Sequence, residues 1–423
     1  MSFFHVEGIS KRTLSLLFLL KVACGLALWA IYTFYYTDRA TADIYKYFDD
    51  SKVLFDTLKT NPSHFFKMLF GIGNNAPEFD KYYTEMNFWA RKIDSNIYND
   101  SHTIIRFNTL VRFFSFGYYN VHTTFICFLS LIGLTAIYKT FVEHLQDKKR
   151  ELLIAVFLLP SVLFWGSGVL KEGLIFFALG LLIYYTHKLF SLKAILICLG
   201  LALLLAFSKF YICLAIFPSL LFIIWINKNR SKLFLKFAIV ILVIAAIGIN
   251  IESFTSIQSP LVTLSQKQYE FNQLAYGNLT DANNQPILAA KSLITINKLE
   301  PTLYSFLKNS PQALVNTTLR PYPWELKSPL MLMAGLENAI IIVFTIFCFL
   351  FIKPLSKISW EYVLFCLSFV VIQFLIIGET TPILGAIARY KTIALPFLVI
   401  GLLFIIDKEQ LLKKIPFLKK ILN

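Results

Sequence analysis

The sequence predicts an all-α, polytopic helical membrane protein of about ten transmembrane helices. Three observations predict it. Of 423 residues, 57% are hydrophobic and only 15% charged, against ~25% charged in soluble domains. The apolar residues fall into repeated runs, many near the roughly 20 residues that a span needs. Between alternate runs lie short, almost purely basic segments, the mark of cytoplasmic loops. The net charge of +15 follows from that asymmetry, so nucleic acid is not the implied partner; the lipid bilayer is. Residues 1–423 read as a single integral membrane domain, multi-pass in the cytoplasmic (inner) membrane. Its richness in Lys, Ile, Phe and Asn has a bacterial cast.

The first span runs from about Leu14 to Tyr36. Lys11 and Arg12 precede it and set the N-terminus in the cytoplasm. It is too long for a signal h-region and no A-x-A site follows, so it reads as an uncleaved signal anchor. Residues 37–101 then form a first external segment, polar, acidic and aromatic. Within it His64 to Phe70 is too short to span and suits a helix lying on the membrane surface. Span two, His122 to Tyr138, ends at Lys139 and the cluster Asp147, Lys148, Lys149, Arg150. Span three, Leu152 to Leu170, contains Pro160, Gly166 and Gly168; Lys171-Glu172 is its external turn. Span four, Leu174 to Tyr185, leads to His187 and Lys188. Spans five and six, Ala194 to Phe207 and Tyr211 to Ile226, flank an external Lys209. Lys228, Arg230, Lys232 and Lys236 follow inside. Span seven is Phe237 to Ile251.

Residues 252–329 form the second long external segment. Span eight is Leu330 to Ile352, followed by Lys353 and Lys357; span nine is Tyr362 to Gly378. Glu379 to Lys391 loops outside, and span ten is Thr392 to Ile406. The tail carries Lys408, Lys413, Lys414, Lys419 and Lys420, so both termini are expected in the cytoplasm. All six cysteines (Cys24, Cys127, Cys198, Cys213, Cys348, Cys366) lie in spans without metal-ligand spacing, so neither disulfide nor zinc site is expected. There is no internal repeat, which counts against an inverted-repeat transporter.

Four places hold chemistry-bearing residues. The first external segment interleaves Asp38, Asp43, Asp49, Asp50 and Asp56 with Tyr45, Tyr47 and Phe48. On a helix Asp43, Lys46, Tyr47 and Asp50 share a face, and a carboxylate there can act as general base on an acceptor hydroxyl. The alternative is the solvated face of a loop. At the end of span three, small residues precede Lys171-Glu172, an acid and a base at the same membrane level. The alternative is a packed helix end with a solvated turn. Arg320-Pro321-Tyr322-Pro323-Trp324-Glu325 offers Arg320 as a bidentate phosphate donor and Trp324 as an interfacial aromatic; a proline-rich connector is the plainer reading. Glu337 lies within span eight, where ionisable groups usually face a functional cavity. Arg389, Tyr390 and Lys391 precede span ten on the outside, against the charge rule; an anionic partner explains them, as does snorkelling. Lys21 is expected to snorkel to the inner face. Asn278-Leu279-Thr280 and Asn316-Thr317-Thr318 fit the glycosylation triplet, and His102 and His122 are assigned no metal.

Together these features resemble the GT-C superfamily of polytopic glycosyltransferases. In that family the first external loop follows span one and carries the catalytic acid, a second acid sits between spans three and four, and a long external segment lies between spans seven and eight. Asp43 or a neighbour, Glu172, and residues 252–329 take those places, and Arg389-Tyr390 resembles the Arg-Tyr found near the end of many members. The resemblance implies inverting transfer of a sugar from a polyprenyl-phosphate-linked donor to a glycan, lipid or protein acceptor of the cell envelope. It implies Asp43, Asp50 and Glu172 as catalytic, with Asp38 and Asp49 as further candidates for the base. Lys171, Arg320, Trp324, Glu337, Arg389, Tyr390 and Lys391 would bind substrate. No cofactor is read from the sequence; a divalent cation is left open, since Lys-Glu replaces the usual acidic turn. The rival readings are a surface-polysaccharide (O-antigen-type) polymerase or ligase, and a lipid-glycan flippase, which should carry charges deep in its spans.

Overall fold

The computed structural model describes residues 2–39, 42–73, 76–90, 98–188, 191–277, 290 and 292–416. The triplet at Asn278 and the tail lysines Lys419 and Lys420 lie outside them. The described residues are helical, with only isolated β-bridges and no strand. In chain order the helices are α1 (Lys11–Ala30, continued by a π-turn, Ile31–Tyr35), α2 (Asp43–Thr60), α3 (Pro62–Phe70), α4 (Asp80–Tyr83), α5 (Ser101–Ser115) and α6 (Tyr119–Val142). Then come α7 (Lys149–Leu153), α8 (Pro160–Trp165), α9 (Lys171–Thr186), α10 (Leu192–Lys228), α11 (Leu233–Phe254) and α12 (Pro260–Ala275). The rest are α13 (Leu303–Thr318), α14 (Pro329–Leu350), α15 (Trp360–Thr380), α16 (Leu384–Tyr390), α17 (Leu395–Ile405) and α18 (Lys408–Lys414).

Several helices start where their capping residues dictate. The side chains of Ser10, Asn61, Ser259, Thr302 and Ser328 each accept a backbone N–H of the first turn of α1, α3, α12, α13 and α14. Three of those caps precede a proline at the first helical position, whose missing N–H would have had no partner there. Gly71 ends α3 at φ 77°, the left-handed geometry that glycine adopts without steric cost. The outward aromatics of α3, Phe66 and Phe70, stay exposed, as expected of a helix lying on an apolar surface.

Among the described residues, six helices are long and apolar enough to cross a membrane: Lys11–Tyr35, Tyr119–Val142, Leu192–Lys228, Leu233–Phe254, Pro329–Leu350 and Trp360–Thr380. The pair Leu384–Ile393 and Leu395–Ile405, bent by 57°, makes a seventh if taken as one span. The expected count of about ten is not reached by length and composition, for local reasons. The apolar run 152–170 is cut into α7, a π-segment (Ile154–Leu158) and α8, with Leu159 extended before Pro160. Helix α9 has 16 residues. Helix α10 has 37 residues but contains an extended residue, Lys209, at φ −166° and ψ 92°. Lys209 is also where the sequence set a turn.

Packing divides the chain into two compact units, residues 1–140 with 162–210, and residues 141–161 with 211–423. In the first, α2 rests on α3 and α5. Arg112 of α5 reaches across to donate from Nε to Ser51 Oγ at 2.8 Å and from Nη2 to the Phe48 carbonyl at 2.5 Å. Burial pushes its pKa down to about 10, against the pull of Asp49 and Asp56. His122 sits between Asn108 Oδ1 and Ser115 Oγ, 2.8 Å from each, so it is a core histidine. Helices α6 and α9 meet backbone to backbone at Gly133 and Gly180. In the second unit α15 packs on α12, α13 and α17. Gly378 admits the Ala313 backbone at a distance no side chain would allow.

Lys21 corrects an expectation. It does not snorkel: it is 1% exposed, and its Nζ has no hydrogen-bond partner among the described residues. Gly25, one turn on, explains this. A Cβ there would stand 2.6 Å from the Ser167 carbonyl, so this face of α1 lies tight against its neighbours and carries Lys21 inside.

Candidate functional site

In the first unit the site forms around Tyr47. Helix α2 begins at Asp43, and i, i+4 spacing places Tyr47 one turn beyond it. The Tyr47 ring lies 5.2 Å from that of Phe88, over which Lys46 Nζ sits at 4.6 Å. Lys171, in the first turn of α9, places its Nζ 5.4 Å from the centre of the Tyr47 ring. The same Nζ donates to Asp100 Oδ1 at 2.7 Å and to Ser101 Oγ at 3.3 Å. Both ends of the segment 37–101 thus meet Lys171. Glu172, beside it, is 1% exposed. Asp43 is half-buried. The site therefore combines a half-buried carboxylate, a part-buried ion pair and an aromatic wall.

Asp50 shares the helix but not the role expected of it. Its side chain points inward and is fully buried. Oδ1 accepts from the Asn87 backbone N–H at 2.7 Å and from Asn87 Nδ2 at 2.9 Å; Oδ2 accepts from the Phe88 N–H at 2.8 Å. It clasps the second half of the loop to α2 and so positions Phe88 against Tyr47. Burial raises its pKa above the ordinary carboxylate range, against the lowering effect of those donors. Replacing it with Ala removes the acceptor of three part-buried donors, so Asp50→Ala should lower stability by about 1–3 kcal/mol. The sign of the pH dependence follows. A folded pKa above the unfolded one means that this carboxyl contributes most at low pH, and less as pH rises through the raised pKa. The gap in thermal midpoint between wild type and Asp50→Ala should narrow from acid to neutral pH; a gap that widens contradicts this.

The other aspartates of the segment are engaged at the surface. Arg39 donates to both oxygens of Asp49, at 3.0 and 2.5 Å. Asp56 pairs with Lys52 at 3.1 Å and Lys59 at 3.6 Å. Pairs this exposed contribute little.

In the second unit the expected substrate-binding residues gather around Lys391. Its buried Nζ donates to the Thr317 carbonyl at 3.1 Å, the Arg320 carbonyl at 3.0 Å and Asn338 Oδ1 at 3.0 Å. An ammonium has three N–H groups, so Lys391 is a strut and not an open phosphate donor. Asn338 neighbours Glu337, whose Oε1 accepts from the N–H and the hydroxyl of Ser161, each at 3.0 Å. Arg320 Nη1 lies 3.3 Å from Glu325 Oε1, and its guanidinium is 5.2 Å from the Tyr322 ring. Tyr322 stacks on Trp324 at 4.9 Å, and Trp324 is 73% exposed. Arg389 and Tyr390 are half-buried on α16, and the Tyr390 carbonyl accepts from Gln373 Nε2 at 3.2 Å. Arg320, Trp324, Arg389 and Tyr390 are the members of this set that keep accessible surface for a ligand. Asn316 is buried in α13, so its triplet offers no accessible acceptor amide.

No group of three or more His, Cys, Asp or Glu side chains that could hold a metal occurs among the described residues. Asp100 and Asn87 escaped the sequence reading. Asp100-Ser101 before an amphipathic run reads as a helix cap, yet Asp100 makes no cap hydrogen bond and turns to Lys171. No family model matches the chain, and no curated protein or solved structure matches it.

Proposed function

We propose that the chain is an inverting membrane glycosyltransferase of the GT-C type. It takes a sugar from a polyprenyl-phosphate-linked donor and passes it to a cell-envelope glycan, lipid or protein on the outer face of the cytoplasmic membrane. The observation that carries this reading is Lys171, which ties the start of α9 to Tyr47 on α2 and to Asp100 at the far end of the first external segment. The two acid-bearing elements singled out in the sequence therefore share one site. Asp43 is the base toward the acceptor hydroxyl, and Glu172 the second acid. Arg320 and Arg389 stabilise the departing lipid phosphate, which needs charge more than a proton.

The membrane topology completes the reading. Six long helices and the bent pair supply seven crossings. The broken stretch 149–165, the short α9, and a second crossing from the two halves of α10 on either side of Lys209 bring the total to ten. Both termini are then cytoplasmic. Cysteines placed at Asn75 and Asn283, which lie outside the described residues, should label only from the outer face. An inner-face result at either position ends the topology and the catalytic reading together. Activity is tested by glycan transfer in membranes carrying wild-type or Asp43→Asn protein.

One observation favours a second reading, a lipid-glycan flippase: the buried ammonium of Lys21 near mid-span of α1. Lys21→Met separates the two. Loss of lipid-glycan translocation with transfer intact selects the flippase; intact translocation with Asp43-dependent transfer selects the enzyme.

A further inference from the structure

Helix α13 wears its polarity inside out. Asn309, Ala313, Asn316 and Thr317 form its buried stripe. Tyr304, Leu307, Pro311 and Val315 stand exposed on the opposite face, with Leu319 exposed just past its end. Between Lys308 and Arg320 the sequence has no charged residue. A helix that rests on protein and faces water shows the reverse pattern.

Its contacts set its depth against α14 and α15. Helix α14 has 22 residues, roughly 33 Å at 1.5 Å per residue, against a hydrocarbon core of roughly 30 Å. Little of it can overhang. Asn338 is nine residues past its start at Pro329, which puts it on the order of 10 Å beneath the outer boundary. Lys391 Nζ joins Asn338 Oδ1 to the Thr317 and Arg320 carbonyls, so the end of α13 lies at that depth. Helix α15 agrees. Gln373, which donates to the carbonyl of Tyr390 beside Lys391, is seven residues before its end at Thr380, again roughly 10 Å. Ala313 meets Gly378, close to that end. The four residues from Ala313 to Thr317 descend roughly 6 Å, which accounts for most of the difference. The chain then climbs along α14, for a side chain at Gly335 would collide with Leu326.

The backbone at this end is finished as hydrocarbon requires. Thr317 would ordinarily offer its carbonyl to the residue four on, but that is Pro321, which has no N–H. Lys391 supplies the missing donor, to Arg320 as well. The Thr317 and Thr318 hydroxyls turn back to the Ala313 and Leu314 carbonyls, at 2.9 and 2.6 Å. An end in water needs no buried ammonium; an end within the bilayer must meet its carbonyls internally.

We propose that α13 dips into the outer leaflet, with acyl chains against Leu307, Val315 and Leu319 and with Tyr304 and Lys308 at the headgroup level. Part of the segment 252–329 then lies within the membrane and not outside it. The proposal rests on the proposed topology only in taking α14 and α15 as crossings.

The test uses the full chain in phosphatidylcholine nanodiscs, which are open to water on both faces. Tyr304→Cys, Val315→Cys, Leu319→Cys and Val371→Cys each carry a nitroxide, and the unsubstituted chain, treated alike, is the blank for the native cysteines. All four positions are exposed, so the fold is not at stake; Val371 is the reference for mid-α15. Collisions with oxygen report hydrocarbon and collisions with a nickel chelate report water. The oxygen-to-nickel ratio should rise from Tyr304 through Val315 to Leu319, and Leu319 should match Val371. A Leu319 label as open to nickel as Tyr304, with Val371 in lipid, overturns the proposal alone. A Leu319 label shielded from both reagents places a second copy of the chain there and overturns it too. Nickel contact at Val371 removes α15 as a crossing, and the topology and the proposal fall together.

Discussion

Asp43→Asn should lower glycan transfer by roughly 10²- to 10⁴-fold, the usual loss when a general base is removed. The substitution keeps the shape and removes the charge. Asp43 is half-buried at the first turn of α2, where negative charge suits the helix N-terminus. The variant should therefore lose only a few tenths of a kcal/mol in stability. The measurement is transfer in membranes adjusted to equal protein content, alongside Asp38→Asn, Asp49→Asn, Asp50→Asn and Glu172→Gln. The geometry separates these variants. Asp49→Asn breaks a surface pair with Arg39 and should be nearly silent. Asp50→Asn disturbs a buried clasp, so its activity should fall together with its thermal midpoint. Loss of activity at unchanged midpoint is expected at Asp43; Glu172, the second acid, is buried, so Glu172→Gln should lose activity and thermal midpoint together. If Asp43→Asn is fully active while Asp38→Asn is not, the base has been assigned to the wrong residue. If none of the five alters transfer, the enzyme reading fails.

Gly180→Val should be the most destabilising single change in the first unit. A Cβ at Gly180 would lie 2.0 Å from the Gly133 carbonyl oxygen, and one at Gly133 would lie 2.0 Å from the Phe176 carbonyl oxygen. In both cases the obstacle is backbone, which cannot turn aside as a side chain can. Helices α6 and α9 must separate, and the cost should exceed the ~1–3 kcal/mol typical of overpacking. Gly200→Val is the control: nothing lies within 4 Å of a Cβ there. In detergent, Gly180→Val should aggregate or melt well below wild type, while Gly200→Val should match it. Equal midpoints for the two variants would show that α6 and α9 do not touch at these glycines.

Capping is a local signal, so some helix starts are marked in the sequence although hydropathy alone does not place them. Ser259-Pro260 and Ser328-Pro329 announce α12 and α14 in the sequence itself. The continuity of spans was less legible. The run 152–170 is apolar throughout, and hydropathy does not register the π-segment before Pro160. The site was half legible. The acids of residues 37–56 and Lys171-Glu172 stand out by type, but helical spacing alone does not say which acid turns inward. Asp50 and Lys391 were both misjudged for that reason: each is polar and near the expected membrane surface, and each is used up by backbone groups far away in sequence. Lys21 was misjudged because α1 is apolar on all sides, so no face declares itself buried until Gly25 is seen against Ser167.

The Lys391 strut also sets an order of assembly. It holds the carbonyl of Arg320, 71 positions earlier, and that of Thr317, 74 positions earlier. During synthesis from the N-terminus, the end of α13 is made and left without its Lys391 partner while α14, α15 and most of α16 are still to come. The turn at Arg320 can be fastened only once the chain has been made through α16. A ribosome stalled before Lys391 would leave a protein with most of its helices and an unfastened turn at Arg320. Proteolysis of arrested chains should reveal this as a cut near residue 320 that vanishes once translation passes 391.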